Sequence, residues 1–206
     1  MPQKTKPKPR KAEPLRQALT IDIIVDTACE LIAESGAEQL TMRRLSDRLG
    51  VALGATYHHV ANRDGLLTLV AARITDPIPL RSTNPKDWRS TLKFLMIDFA
   101  KAFAKFPGMA NFHLANVEAT GPETIRDQLF KMLREAGFAT ESAFTLMAAL
   151  FFYTSGVAST ELLSHDQPGL PASVVAVRFE KGLDLLLEGA AVQLRADRKA
   201  RRERAR

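Results

Sequence analysis

Apolar residues recur along this chain mostly at intervals of three and four positions, the spacing that builds one face of an α-helix. No segment alternates apolar and polar residues for long, as a strand would. The first apolar stripe begins after Thr20, which is suited to an N-cap, and stops at Gly36, which is suited to end a helix. Its members are Ile21, Ile24, Val25, Ala28, Leu31 and Ile32. The pattern predicts an all-α fold.

Three shorter helices are predicted directly after the first. Thr41 and Asn62 are placed to cap two of them, and Gly50 is placed to end the earlier one. A third short helix, over 53–59, lies between these two. The residues predicted to be buried are Met42, Leu45, Leu49, Leu66, Leu67 and Val70.

Prolines interrupt the pattern at Pro77, Pro79 and Pro85, and we place a domain boundary there. Beyond the boundary, the pattern predicts helices over 86–106, 109–118, 122–136, 140–165 and 171–197. The predicted domains are therefore a helical unit at 18–73 and a larger helical bundle at 74–197. The two ends, 1–17 and 198–206, are predicted to be disordered or frayed basic tails.

The location of the charge is more informative than its sum. The 206 residues have a formal net charge of +6, but residues 1–17 carry six basic groups and one acidic group, and residues 195–206 carry seven and two. Between the tails, segment 41–73 is positive at +3, whereas 18–40 is at −5 and 74–194 is at −2. This distribution is typical of a local surface that contacts anions, not of a generally basic protein.

Other features bear on the compartment. Cys29 is the single cysteine, so an intrachain disulfide is impossible, a reducing compartment is favoured and simple core packing is expected for the thiol. The Lys- and Pro-rich N-terminus lacks the apolar segment of a signal peptide, and the longest apolar run, Met147 to Val157, is too short to span a bilayer. We expect a cytoplasmic, nucleoid-associated protein without membrane contacts.

The positive segment contains a nearly neutral centre, from Gly50 to His59, between flanking arginines. Two helices joined by a glycine turn form a helix-turn-helix, whose second helix enters a DNA major groove and whose small residues allow close approach. Arg43 is predicted to read a guanine, while Tyr57 and Arg63 hold phosphates. The candidate DNA-contacting residues are Thr41, Arg43, Leu53, Gly54, Ala55, Tyr57, His58, His59 and Arg63.

These residues also have structural interpretations. Short helix pairs with a glycine turn are common, and Tyr57 could belong to the core. The adjacent His58 and His59 diverge by about 100° on a helix and are poorly placed to share a metal, so surface or capping roles are favoured for both. A basic tail could equally be a solvated segment or a non-specific phosphate contact.

A family resemblance emerges from these residues. The segment LTMRRLSDRLGVALGATYHHVANRDGLL resembles the DNA-binding domain of the TetR family of transcriptional repressors. The segments WRSTLKFLMIDFAKAFAKFPGMA, LREAGF, FFYTSGVASTE and FEKGLDLLLEG resemble the regulatory domain of its tetracycline repressor branch. The resemblance spans about Thr20 to Gln193. It implies an all-helical homodimer with a helix-turn-helix domain followed by a ligand-binding and dimerisation domain.

The resemblance also implies that the last two long helices, 140–165 and 171–197, form a four-helix interface with a second copy. Small residues on such a face permit close helix approach. Burial within one chain is the alternative for each position. The residues implied at the interface are Ala148, Ala149, Gly156, Ala158, Leu183, Leu186, Leu187 and Ala190.

In the pocket, the resemblance matches His113 to a magnesium-binding histidine and Phe99 to a ligand-contacting phenylalanine. Other positions depart from the branch: Leu95 replaces a drug-binding asparagine, and Asn116 and Thr160 replace the magnesium-linked threonine and glutamate, with Glu161 one residue off. At the DNA end, Ala52, Gly54 and His58 depart as well, which argues against the tetracycline operator. A drug–magnesium chelate is therefore disfavoured.

We expect an uncharged or weakly polar, aromatic or polycyclic ligand, bound without a metal or other cofactor. Ordinary core packing is the alternative for each phenylalanine and methionine, and a hydrogen-bonded core histidine for His113. The candidate ligand-binding residues are Leu95, Phe99, Phe103, His113, Asn116, Phe144, Met147 and Phe151, with Phe130 behind them.

The function expected from the sequence is a repressor that binds a palindromic operator as a homodimer and is released by a small apolar or aromatic ligand. An activator, or a nucleoid-type DNA binder without inducer, is the alternative. A hydrolase is disfavoured because no Gly-x-Ser-x-Gly is present and no acid, base and nucleophile have useful spacing. The serines near His165 that raise the idea are Ser155, Ser159 and Ser164.

Overall fold

A computed structural model of the chain describes residues 19–116, 123–159 and 171–205. Within these ranges the regular structure is entirely helical. The α-helices are α1 (Ile21–Ser35), α2 (Met42–Leu49), α3 (Leu53–Tyr57), α4 (Arg63–Thr75), α5 (Trp88–Phe103), α6 (Met109–Ala115), α7 (Glu123–Ala136), α8 (Thr140–Ser159) and α9 (Ala172–Arg204). Single 3₁₀ turns lie at Ala37–Gln39 and Pro85–Asp87. The expected all-α fold is confirmed.

The three predicted N-caps are present. The side chain of Thr20 accepts a hydrogen bond from the Ile23 amide at 3.3 Å, and that of Thr41 accepts one from the Arg44 amide at 3.1 Å. Asn62 Oδ1 accepts one from the Gly65 amide at 2.8 Å. Each bond satisfies an amide that has no partner inside its own helix, which fixes where the helix begins.

The core of the N-terminal unit consists of the predicted stripes, with Ile24, Ala28, Leu45, Leu66 and Val70 among its buried members. Ile21 was predicted to join them but is exposed, because it lies at the start of α1, where none of the first three residues is buried. Cys29 is half-buried against this core, and burial raises the pKa of its thiol to about 11, so it stays protonated at neutral pH.

In the larger unit, α5 and α6 pack against α8, and α9 covers α5 and α8. Three residues predicted at the interface with a second copy, Ala158, Leu183 and Leu187, are buried in this core instead. They lie on the inner sides of α8 and α9, the sides that face α5 and each other. The intrachain alternative therefore holds for these three positions. A fourth, Ala190, is buried as well but also lines a groove between α8 and α9.

The two units meet where the loop before α6 touches the turn after α1. The amide of Ala37 donates to the carbonyl of Pro107 at 2.8 Å. Gly108 adopts a φ of +82°, and a Cβ added there would lie 3.2 Å from the Ala37 methyl group. A glycine therefore suits both the backbone angle and the close approach. The end of α5 and the start of α6 thus rest directly on the N-terminal unit.

Several boundaries differ from their predictions. The helices predicted over 86–106 and 109–118 are shorter, at Trp88–Phe103 and Met109–Ala115. The last helix is longer than the predicted 171–197 and continues to Arg204, so the predicted frayed end from 198 onward is wrong. Its alanines, arginines and glutamate favour helix, and basic side chains in a last turn interact well with the helix dipole.

By length and composition α8 could cross a membrane, since it has 20 residues and a mean hydropathy of 1.3. The sequence predicted that the apolar run here was too short, because it counted only the central part of the helix. The described helix packs against α5, α6, α7 and α9. These contacts fit a core helix, of which Phe144 and Phe152 are the exposed large apolar side chains.

Candidate DNA-reading surface and ligand cavity

The helix-turn-helix is formed by α2 and α3. Gly50 adopts the left-handed conformation, with φ of 65° and ψ of 32°, which ends α2 and turns the chain. The Val51 amide then donates to the Ser46 carbonyl at 3.1 Å. Thr56 is fully buried, on the side of α3 that packs on the unit, and its hydroxyl donates within the helix to the Leu53 carbonyl at 2.7 Å. These contacts leave the opposite side of α3 facing outward.

That outward side carries most of the residues predicted to touch DNA. Leu53 is 42% exposed and Tyr57 is 47% exposed, which removes the alternative that Tyr57 belongs to the core. A Cβ added at Gly54 would meet nothing within 4 Å, so this part of the helix presents bare backbone to an approaching surface. His58 and His59 are exposed, Ala55 is half-buried, and Thr41 caps α2.

The arginines of α2 differ in what they contact. Arg44 donates to the Gln39 carbonyl at 2.9 Å and to the Ser35 hydroxyl at 3.1 Å. Arg48 forms a two-pronged ion pair with Glu34, at 2.6 and 3.0 Å. Arg43 is exposed, and no hydrogen bond or ion pair involves its side chain within the described residues. The Arg43 side chain is therefore accessible from solvent, and its contact with a base edge stays a prediction.

Arg63 has a structural task that the sequence did not predict. Its Nε donates to the Leu40 carbonyl at 2.8 Å, and one terminal nitrogen donates to the Ala37 carbonyl at 2.7 Å. The other terminal nitrogen lies 3.7 Å from a carboxylate oxygen of Asp64. The guanidinium thus ties α4 to the turn before α2, and its predicted contact with phosphate stays a prediction. No local pattern signals bonds to carbonyls this distant in the chain.

A cavity of about 530 Å³ lies among α4, α5, α6, α7 and α8. Six of the eight predicted ligand-binding residues line it: Leu95, Phe99, His113, Phe144, Met147 and Phe151. Apolar side chains dominate the walls, as is usual for a small-molecule site. Other residues of the lining, which were not predicted for the site, are Thr75, Ile78, Leu92, Met96, Ile125, Arg126, Leu129, Ala148, Leu150 and Phe152.

Two predicted residues lie outside this lining. Phe103 is almost fully buried and stacks on Phe99 with the ring centroids 4.4 Å apart, so it supports the wall from behind. Asn116 follows the last residue of α6, and its side-chain nitrogen donates to the Phe112 carbonyl at 2.9 Å. Phe130 was expected behind the site and does stack on Phe144, with centroids 4.4 Å apart.

His113 is only 3% exposed, and the rings of Phe99, Phe103 and Phe151 surround it with centroids 5.2–5.4 Å away. Burial lowers the pKa of its imidazole from 6.5 to about 4, so the ring is neutral at pH 7. A neutral imidazole offers one hydrogen-bond donor and one acceptor. His113 therefore supplies polarity without charge to an aromatic cavity.

The described residues contain no cluster of potential metal ligands. Within residues 19–116, 123–159 and 171–205, no group of three or more His, Cys, Asp or Glu side chains is arranged to hold an ion. Thr160 and Glu161, which the resemblance links to magnesium, lie outside the described residues. The serine alternative is also weak, because Ser155 is sealed in the core and Ser159 donates to its carbonyl at 2.7 Å. Ser164 and His165 are not described.

The outer side of α8 and α9 is unusually apolar. Phe152 is 61% exposed and Leu185 is 75% exposed, with Val192 beside them on α9. A groove of about 420 Å³ runs between the two helices, past Leu186 and Gly189. Two of the residues predicted at an interface, Ala148 and Gly156, are exposed, and three more line the groove: Ala149, Leu186 and Ala190. The remaining three, Ala158, Leu183 and Leu187, are buried in the core.

Comparison with known proteins covers both units. Residues 24–70 match a family model described as bacterial regulatory proteins, tetR family. The tetracycline repressor protein class C of Escherichia coli is 31% identical over 178 residues, which cover 82% of this chain and 81% of that protein.

Among solved structures, a TetR variant from Acinetobacter baumannii AYE in complex with minocycline matches with a TM-score of 0.70 at 26% identity, covering 85% of this chain and 98% of that one. The structure of BioQ with its double-stranded DNA operator matches with a TM-score of 0.66, also at 26% identity, covering 84% and 99%. The likeness therefore extends from the helix-turn-helix through the unit that holds the cavity.

Proposed function

Because the chain belongs to the TetR family of DNA-binding transcriptional regulators, we propose that it represses transcription as a homodimer on a palindromic operator and is released by a small apolar ligand. The observation that carries the ligand part is the aromatic cavity of about 530 Å³, one wall of which is the end of α4. Since α4 follows the reading helix α3 after five residues and packs against α1, a ligand in the cavity touches an element that belongs to the reading unit.

The DNA part rests on the exposed side of α3 and on Arg43. The small residues of α3 suit close contact with base edges, and Arg43 suits a bidentate contact with guanine. Phosphate contacts fall to Tyr57, His58 and His59, and to the amides at the start of α4, whose positive end attracts anions. The likeness to BioQ, whose structure contains its double-stranded operator, supports this use of the helix.

The homodimer rests on the outer side of α8 and α9. Phe152, Leu185 and Val192 form an apolar surface that a single chain leaves in water. A second copy related by a two-fold axis would cover the same patch on both chains and place two reading helices on one face. Such a dimer requires an operator whose two half-sites are inverted repeats, with centres about one helical turn or slightly more apart.

The ligand is proposed to be an uncharged or weakly polar aromatic or polycyclic molecule, bound without a metal. The walls are mainly phenylalanine, leucine and methionine, and the neutral ring of His113 can orient one polar group of the ligand. The Acinetobacter structure, whose ligand is minocycline, supports a small molecule as the ligand here. The polar residues that the resemblance links to magnesium are largely replaced here, which supports binding without that ion.

A thermal-shift screen of uncharged polycyclic compounds tests the ligand part. A true ligand present at about 100 times its Kd stabilises the fold by about 2.7 kcal/mol. The same compound should release the protein from DNA that flanks its own gene, and EDTA should not change the release. Phe151→Ala should weaken the compound and leave DNA binding without ligand intact. A response that required added magnesium would contradict the proposal.

A further inference from the structure

The last turns of α9 extend beyond the folded core. Leu194 is the last buried residue of this helix, and from residue 195 to residue 205 only Asp197 is even partly covered. The helix nevertheless continues to Arg204. We call residues 195–204 the basic extension.

Two contacts hold the start of the basic extension in a fixed direction. Arg198 donates twice to the Ala136 carbonyl at the end of α7, from Nε at 3.1 Å and from a terminal nitrogen at 2.6 Å. The two oxygens of Asp197 accept from the Ala139 amide at 2.8 Å and from the Gln193 side chain at 2.9 Å. The helix is thus anchored where it leaves the core, and its final turns project from that anchor.

The basic extension combines strong positive charge with a lack of large apolar side chains. Its ten residues contain five arginines and one lysine against Asp197 and Glu203, and its only apolar residues are alanines. At 1.5 Å per residue the cations spread over about 15 Å. A membrane-surface helix would need a face of large apolar residues, which this segment lacks. The composition suits a polyanion whose charges are regularly spaced.

The basic extension also lies at the opposite end of the molecule from the reading helix. The loop after α5 rests on the N-terminal unit through Pro107 and Ala37. The start of α5 lies at the other end, where Trp88 contacts Phe138 with ring centroids 5.1 Å apart, close to the anchor of the extension. Since α5 has 16 residues, these two ends are about 24 Å apart.

We propose that the basic extension binds the phosphate backbone of a second DNA duplex, while α3 holds the first. Arginine binds phosphate with two parallel hydrogen bonds, and duplex DNA offers a negative charge about every 1.7 Å along its axis. DNA is favoured over an acidic protein because the family function brings the molecule to DNA, where other duplex segments are concentrated. Bridging of two duplexes is a property beyond repression at one operator.

A capture experiment with the full-length chain tests this proposal. A biotinylated random-sequence duplex is fixed to beads, and capture of a fluorescent random-sequence duplex is measured with and without the protein. The variant carries Arg201→Gln, Arg202→Gln and Arg204→Gln, since glutamine keeps the helix and removes the charge. The control removes the same charge from exposed lysines elsewhere, with Lys101→Gln, Lys105→Gln and Lys131→Gln.

The natural chain and the lysine control should capture the second duplex, whereas the arginine variant should capture at most about one tenth of that amount. Footprinting on DNA that flanks the gene should give the same protection for the arginine variant as for the natural chain. If the natural chain gave no footprint on this DNA, the proposed repression would be contradicted. The capture experiment would still test the basic extension, because it uses random-sequence DNA. Equal capture by the arginine variant, an equal loss in the control, or equally strong competition by polyglutamate would overturn the second DNA site.

Discussion

Two arginines of the helix-turn-helix unit illustrate how much a single side chain's surroundings decide. Arg43 extends into solvent from the first turn of α2, whereas the guanidinium of Arg63 is held by two backbone carbonyls. A charged donor that pairs with buried backbone oxygens stabilises the fold, and one that remains in water stays available to a ligand. Their substitutions should therefore have different effects.

Arg43→Ala should weaken binding to operator DNA by about 1–3 kcal/mol and relax the preference at one G·C pair, because a bidentate guanine contact is lost. Anisotropy titrations with operator and random duplexes measure both effects. Arg63→Ala is the contrasting variant: it should lower the free energy of unfolding by about 1–3 kcal/mol in urea titrations. Equal weakening of operator and random DNA by Arg43→Ala would refute the base contact.

His113 gives the stability a defined pH dependence. Burial lowers the pKa of its ring to about 4, whereas the unfolded chain protonates it near its ordinary value of 6.5. Between these values the unfolded state binds more protons, so the contribution of His113 is complete above pH 6.5 and is lost as the pH falls toward 4. The loss amounts to at most about 1.4 kcal/mol per pH unit.

Urea unfolding at a series of pH values from neutral down to about 4.5 measures this loss. The natural chain should lose stability faster on acidification than His113→Leu, because the leucine has no proton to gain. Parallel pH profiles for the two proteins would show that the buried ring does not carry the effect.

At the scale of elements, the contact between α8 and α9 depends on a glycine. A Cβ added at Gly182 would lie 2.0 Å from the Tyr153 hydroxyl oxygen, so the tyrosine side chain of α8 occupies the space that a side chain on α9 would need. The hydroxyl also donates to the Phe179 carbonyl at 3.3 Å. At Gly189, on the same helix, an added Cβ would meet nothing within 4 Å of it. These two glycines differ in task although both lie in the middle of α9.

Gly182→Ala should lower the free energy of unfolding by about 1–3 kcal/mol, the usual cost of forcing a methyl group into a packed contact. Gly189→Ala should leave the fold intact and favour the helix by up to about 1 kcal/mol. Thermal or urea unfolding distinguishes the two. A neutral result at Gly182 would mean that the Tyr153 ring can move aside at little cost.

At the scale of the whole molecule, the exposed apolar side of α8 and α9 predicts an obligate partner surface. Leu185→Glu places a charge in the centre of this side, so it should convert a dimer into a monomer in sedimentation velocity and abolish tight operator binding. Leu69→Glu, an exposed leucine on α4, is the matched control and should leave the oligomeric state unchanged. A Leu185→Glu protein that remained dimeric would place the interface elsewhere.

The cap residues, the glycine stops and the outward side of α3 were all predictable, because they depend on neighbours within one turn of a helix. The side of α9 that faces the core was not predictable. Apolar residues occur on several sides of this helix, and Leu183, Leu185 and Leu187 look alike in sequence although, of these three, Leu185 alone faces solvent. The hydrogen bonds that Arg63 and Arg198 donate to backbone carbonyls could not be predicted from the sequence either, since their partners are distant in the chain.

The cavity was predicted in part for the same reason. The α5 and α8 side chains with clear helical spacing were placed correctly in its lining, whereas Phe103 proved to be one layer deeper, where it supports Phe99. Thr75 and Ile78 were missed, because they lie at the proline-rich boundary where the periodic pattern stops. Tertiary packing alone brings that boundary onto the cavity wall.

The position of Thr75 and Ile78 has a consequence for anyone who re-engineers this protein as a biosensor. The wall they form continues through α4 to the reading unit, whereas Met147 and Phe151 belong to the opposite wall, on α8. A library of substitutions at Met147 and Phe151 can change which compound is recognised while the transmission of the signal is retained. A library at Thr75 and Ile78 would alter ligand recognition and the transmission to the reading unit together, so the two properties could not be adjusted separately.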